Sequence, residues 1–121
     1  MATRSNIKIV TGETTLWIYR HWDGYPEVTG VDVATKLEES KTMTDFVSSL
    51  LNDKDGSGNH LYEVTTEMHG DIEYRYTVEA DCFMFKSTKN ILIHQFVHEF
   101  GRKSQKFICN GKPSGIIKQY S

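Results

Sequence analysis

Between positions 62 and 79 the side chains alternate in character with a period of two. Tyr62, Val64, Thr66 and Met68 interleave with Glu63, Thr65 and Glu67. Beyond His69 and Gly70, Ile72, Tyr74, Tyr76 and Val78 interleave with Asp71, Glu73, Arg75, Thr77 and Glu79. Successive strand residues point to opposite faces, so the pattern predicts two strands, each with one buried and one wet face. The glycine-bearing pair between them predicts a hairpin, which Phe83 and Phe85 extend into a third strand. A sheet that is apolar on one face needs a cover, and that restricts the chain to a layered architecture.

The cover is written upstream. Thr29, with Asp32 three residues on, is positioned to cap a helix carrying Val31, Ala34 and Leu37 on one stripe. Thr42 and Asp45 repeat the arrangement ahead of Phe46, Val47, Leu50 and Leu51. Before these helices, residues 6–10 and 14–21 read as two strands joined around Thr11-Gly12-Glu13. The second is apolar on both sides, Leu16 and Ile18 against Trp17 and Tyr19. Such a strand is central in its sheet or meets a partner chain. After Lys89, the spacing of Ile93, Phe96, Val97 and Phe100 predicts a short helix from Asn90 to Phe100, although Ile91-Leu92-Ile93 would suit a strand, and Gln105 to Cys109 reads as a strand. A turn at Asn110-Gly111 then leads toward Ile116 and Ile117. The expected fold is α+β, an antiparallel sheet in the order β-β-α-α-β-β-β with helices on one face. Residues 1–89 form the core domain, and 90–121 form a C-terminal extension packed on the core or on a neighbouring subunit.

Charge is uneven along the 121 residues. Positions 1–99 hold nine Lys/Arg and sixteen Asp/Glu, whereas 100–121 hold five cations and no acid. A basic tail on an acidic body suits an anionic ligand, or docking on the body of this chain or a neighbour. No apolar run approaches the ~20 residues of a membrane span, and the N-terminus lacks the apolar segment of a signal peptide. Two cysteines, Cys82 and Cys109, without C-x-x-C spacing, fit free thiols in a reduced, cytoplasmic setting.

The segment His21-Trp22-Asp23-Gly24-Tyr25-Pro26 comes directly after the apolar strand, and Gly24 and Pro26 force it into a turn. Trp22 and Tyr25 offer faces for stacking a base, Arg20 offers a planar cation for phosphate, and His21 with Asp23 offers a base and its orienting carboxylate. No Ser or Cys stands nearby as a nucleophile, so no catalytic set is complete. The alternative is that Trp22 and Tyr25 pack across the sheet edge. In the tail, Lys112 and Ser114 lie in a turn that lacks P-loop spacing yet suits an anion contact.

Metal signals are incomplete. Asp53 to Asn59 opens like a calcium loop, but Val64 stands where the bidentate carboxylate belongs. His94 and His98 would share a helix face without a third ligand at zinc spacing. No metal and no cofactor is implied. Glu63, Glu67, Glu73 and Glu79 around Tyr62, Tyr74 and Tyr76 argue against polynucleotide binding.

The stretches Tyr19 to Glu27 with Gly30, and Glu67 to Tyr74, resemble small uncharacterised proteins encoded by bacteriophages and prophages, over about residues 3–80. The loop at 53–59 and the segment 90–121 depart from that pattern. The resemblance carries no activity and no catalytic residue. It implies an accessory protein acting in the host cytoplasm, of a kind that often blunts host defence, some members by sequestering cyclic nucleotide or ADP-ribose-type signals. Together with the residues, it leads to the expectation of a non-enzymatic, self-associating protein that binds a small anionic, nucleotide-like ligand through Arg20, His21, Trp22, Asp23, Tyr25, Lys112 and Ser114. A host-protein inhibitor and a metal-assisted hydrolase using His21, His69, His94 or His98 are the alternatives.

Overall fold

A computed structural model of the chain describes residues 3–67, 70–80 and 89–121, with the backbone alone at 98 and 99. Met68, His69, Cys82, Phe83 and Phe85, and with them the expected turn and strand extension, lie outside the described residues. Among the described residues, six strands form one mixed sheet, and three α-helices cover one of its faces. The α+β class is as expected; the wholly antiparallel sheet is not.

β1 (Ser5–Thr11) and β2 (Thr14–Arg20) form the expected hairpin. Its two-residue turn starts at Gly12, whose φ of 59° suits the first central position of a type II′ turn. The pairing of the next two strands departs from expectation. β3 (Glu63–Thr65) pairs with β2, and β4 (Tyr74–Ala80) pairs in parallel with β1, giving the order β3-β2-β1-β4-β5-β6. The two alternating segments are therefore not a hairpin; the first hairpin sits between them. Alternation fixes which face a residue takes and says nothing of which strand lies alongside.

The helix expected from Asn90 to Phe100 is instead a strand, β5 (Lys89–Glu99), paired with β4 and with β6 (Arg102–Gly111). Ile91 and Ile93 are fully buried beside Val78 and Tyr76, a period-two contact that overrode the helical spacing. Phe100 (φ 52°) and Gly101 (φ 73°) make the β5–β6 turn, both left-handed as a type I′ turn requires. Phe100 is fully exposed at this tip. The chain ends in α3 (Pro113–Tyr120), where a turn alone was expected; Pro113 opens it and Ile116 is buried. Residues 89–121 thus supply two strands and one helix to the common sheet and core.

α1 (Val31–Glu39) and α2 (Met43–Leu51) are the expected helices. Thr42 caps α2 as expected, its side chain accepting from the Asp45 N–H at 3.1 Å. Thr29 does not cap α1. It lies in a π-helical turn, Pro26–Gly30, and its hydroxyl donates to the Asp23 carbonyl at 2.7 Å. Val33, Ala34, Leu37, Phe46, Leu50 and Ile116 pack on Ile7, Ile9, Ile18, Tyr76, Val78, Ile91 and Ile93 in one core. All those strand residues share one face of the sheet, so the three helices lie on one side.

Candidate functional site

The turn after β2 is fixed mainly through its backbone and the residues that flank it. The Gly24 N–H donates to the Thr3 carbonyl at 2.9 Å, and its own carbonyl accepts from the buried Tyr76 hydroxyl. A Cβ at Gly24 would stand 2.8 Å from the Thr3 oxygen, so only glycine fits the approach. Asp23 takes a left-handed φ of 55° and is exposed. The Tyr25 carbonyl receives the N–H groups of Val28, Thr29 and, at 3.4 Å, Gly30, the last being the i→i+5 bond of the π turn.

Arg20 faces inward. Its Nε donates to the Trp22 carbonyl and its Nη1 to the Tyr62 hydroxyl, both at 2.8 Å. Tyr62 donates in turn to Asp32 at 2.6 Å, and Lys36 joins Asp32 to Asp53. Burial, then the Asp32 charge, pushes the Tyr62 phenol far up, so it stays a donor. Burial pulls the Lys36 ammonium down, and its bonds to Asp32 and Asp53 more than reverse this. This chain of charges ties β2 to α1 and to the 53–59 loop. In that loop the exposed Asp55 carboxylate accepts the N–H groups of Ser57 and Asn59, which holds its pKa below the usual range.

Of the other residues singled out in the sequence, His21 Nδ1 lies 3.1 Å from the Tyr19 hydroxyl, and its ring meets Trp22 edge-on. Trp22 and Tyr25 are 59% and 43% exposed. Lys112 and Ser114 are exposed but stand at the other end of the sheet. Gly111 pairs with Ile91, whereas Arg20 is linked through Ser5 and Tyr74 to Gln95. Four strand residues separate the two ends by about 13 Å. The seven candidates do not form one site.

The face of the sheet away from the helices carries a different set. The registers place Trp17, Lys8, Thr77 and Leu92 in one row across it, and Tyr19, Asn6, Arg75, His94 and Phe107 in the next. Tyr19 and Phe96 are sealed by Ile72 at one corner, and the rest of the two rows meets no helix among the described residues. The Lys8 ammonium lies 5.3 Å over the Trp17 ring. Arg75 and Lys103 lie 5.4 and 4.7 Å over Phe96, and His94 meets Phe107 edge-on at 5.6 Å. Phe107 is 54% exposed. Burial first, then the Arg75 and Lys8 charges, lowers the His94 pKa, and its buried Nδ1 has no hydrogen-bond partner among the described residues. Glu63 and Glu79 stand at the rims. The two-sided apolar pattern of β2 was the signal for this face, since it marked Trp17 as pointing away from the core.

A tyrosine face amid acids, the ground for arguing against polynucleotides, is not what the fold displays: Tyr62 and Tyr76 are in the core. Four residues along a strand separate His94 from His98 by about 13 Å, which removes the helical pairing. No group of three metal-ligating side chains occurs among the described residues, and none of their helices is long and apolar enough to cross a membrane. No family model, curated protein or solved structure matches the chain.

Proposed function

We propose that the protein binds a small anionic, nucleotide-like ligand on the face of its sheet opposite the three helices and releases it chemically unchanged. The pairing of cations with aromatic rings on that face, Lys8 on Trp17 above all, carries the reading. A ring gives a base a surface to stack on, and an adjacent ammonium gives its phosphate a counter-charge. The motif resemblance to phage proteins is the ground for seeking that ligand among nucleotide signals of a host cytoplasm. Titration with AMP, cyclic AMP and ADP-ribose should quench indole fluorescence and raise the melting temperature, because a ligand of the folded state stabilises it. Lys8→Glu should abolish both effects. Absence of any shift with all three overturns the reading, and recovery of cleaved ligand replaces it with an enzyme.

A second reading rests on Trp22, Tyr25 and Val28, three exposed apolar side chains within seven positions of one rigid turn. Such a patch fits a host-protein contact. Capture of a specific partner that Trp22→Ala abolishes, with no nucleotide shift, would favour it.

A further inference from the structure

Among the described residues, Trp17, which is half-buried, and Phe107, which is 54% exposed, are the aromatic side chains of this face outside the Tyr19–Ile72–Phe96 cluster, and they stand far apart. Trp17 is on β2 and Phe107 on β6, with β1, β4 and β5 between them. Four inter-strand steps of ~4.8 Å separate the two strands by roughly 19 Å. Between them lie Lys8, then Arg75 with Thr77, then His94 with Leu92. A single nucleotide, whose base and phosphate are joined through one sugar, reaches one ring and the nearest cation. It cannot also reach the other ring.

We infer that the ligand of this face is a single-stranded nucleic acid segment, two of whose bases, several nucleotides apart, stack on Trp17 and Phe107 while the backbone between them crosses the strip of Lys8 and Arg75. The inference rests on the function proposed above and sharpens its ligand class. A strand-built surface with rings at its two sides and cations between them matches an unpaired strand, which can splay its bases onto protein rings. A duplex keeps its bases stacked on one another and offers no face to either ring. Lys103, over Phe96 and bonded to the Gly70 carbonyl at 2.8 Å, continues the cationic strip toward the β5–β6 tip. Arg102 stands at that tip, beside Phe100.

The test is fluorescence anisotropy with end-labelled oligothymidylates of one, two, four, eight and twelve nucleotides, at two salt concentrations. Affinity should climb with length to about four nucleotides, the small end of the site sizes of such single-strand binders. It should weaken with added salt as the backbone cations are displaced. Phe107→Ala should cost the four-nucleotide probe roughly tenfold, the scale of one lost stacking contact. Circular dichroism and the melting curve of Phe107→Ala report that the exposed ring was not holding the fold. If the single nucleotide binds as tightly as the longest probe, the inference is overturned while the proposed function stands. If no probe and no nucleotide binds, both fall. Equal binding of a duplex of the same length, or of inorganic polyphosphate with no loss in Phe107→Ala, also overturns the inference.

Discussion

The turn at 21–26 and the sheet face opposite the helices both present aromatic rings beside cations, yet they are built in opposite ways. In the turn and its flanks, polar groups are consumed internally: Arg20 by Trp22, Tyr62 and Asp32, and Gly24 by Thr3 and Tyr76. On the sheet face the polar atoms sit on rings and the strands supply only the platform, with Lys8 over Trp17 and His94 against Phe107. A concentration of chemically rich residues in sequence can thus be a structural clasp, while the cation–aromatic surface proposed to bind the ligand is scattered over five strands and assembled only by register.

The contrast can be broken most severely at Gly24. Gly24→Ala brings a methyl group against the Thr3 carbonyl and within 3.1 Å of the Arg4 backbone, which cannot swing aside. A loss of about 3 kcal/mol is expected, read as a large drop in denaturation midpoint. Arg20→Ala comes next, at about 2 kcal/mol, because it strips charged hydrogen bonds from buried partners. If Arg20→Ala melts like the wild type, the inward network is not what holds the turn.

The smallest effect belongs to pH. His94 is faced by Arg75 from β4, Lys8 from β1 and the Phe107 ring from β6, and its folded pKa is depressed below the ordinary 6.5. The unfolded chain therefore takes up the proton first. The His94 contribution is complete above about pH 6.5 and is lost as pH falls toward the lower, folded value. Chemical denaturation between pH 7.5 and 5 should show this slope, and His94→Gln should flatten it. A bound phosphate would favour the imidazolium, so nucleotide affinity should rise over the same interval.

The sequence announced what is decided within a few residues. The Thr42 cap, the Gly12 hairpin and the alternation of Tyr74 to Val78 are local, and each appears in the fold. What it withheld is decided by distant partners. Whether Ile91, Ile93 and Phe96 form a helix or a strand depends on Tyr76 and Val78 being alongside. α3 did carry a signal, Pro113 at its first turn with Ile116, Ile117 and Tyr120 at helical spacing, but Gly115 and its short length weakened it. Of the two-sided apolar strand and the apolar tail, Tyr19 packs with Ile72 and Ile116 lies in the core, whereas Phe107 stays 54% exposed. Arg20 looked like a surface cation because nothing near it in sequence foretells Tyr62 and Asp32.

The parallel pairing of β1 with β4 has a kinetic consequence. One neighbour of β1 arrives across a two-residue turn, a contact that forms on the microsecond scale. Its other neighbour begins at Tyr74, opposite Ser5, so two helices and a loop must be traversed before the centre of the sheet can close. Chain-closure entropy is lost before that pairing returns anything, which makes the β1–β4 junction the slow step of folding. During synthesis the first hairpin leaves the ribosome with the Ile7 and Ile9 edge unpaired, and it stays so until the residues from Tyr74 to Val78 have followed it.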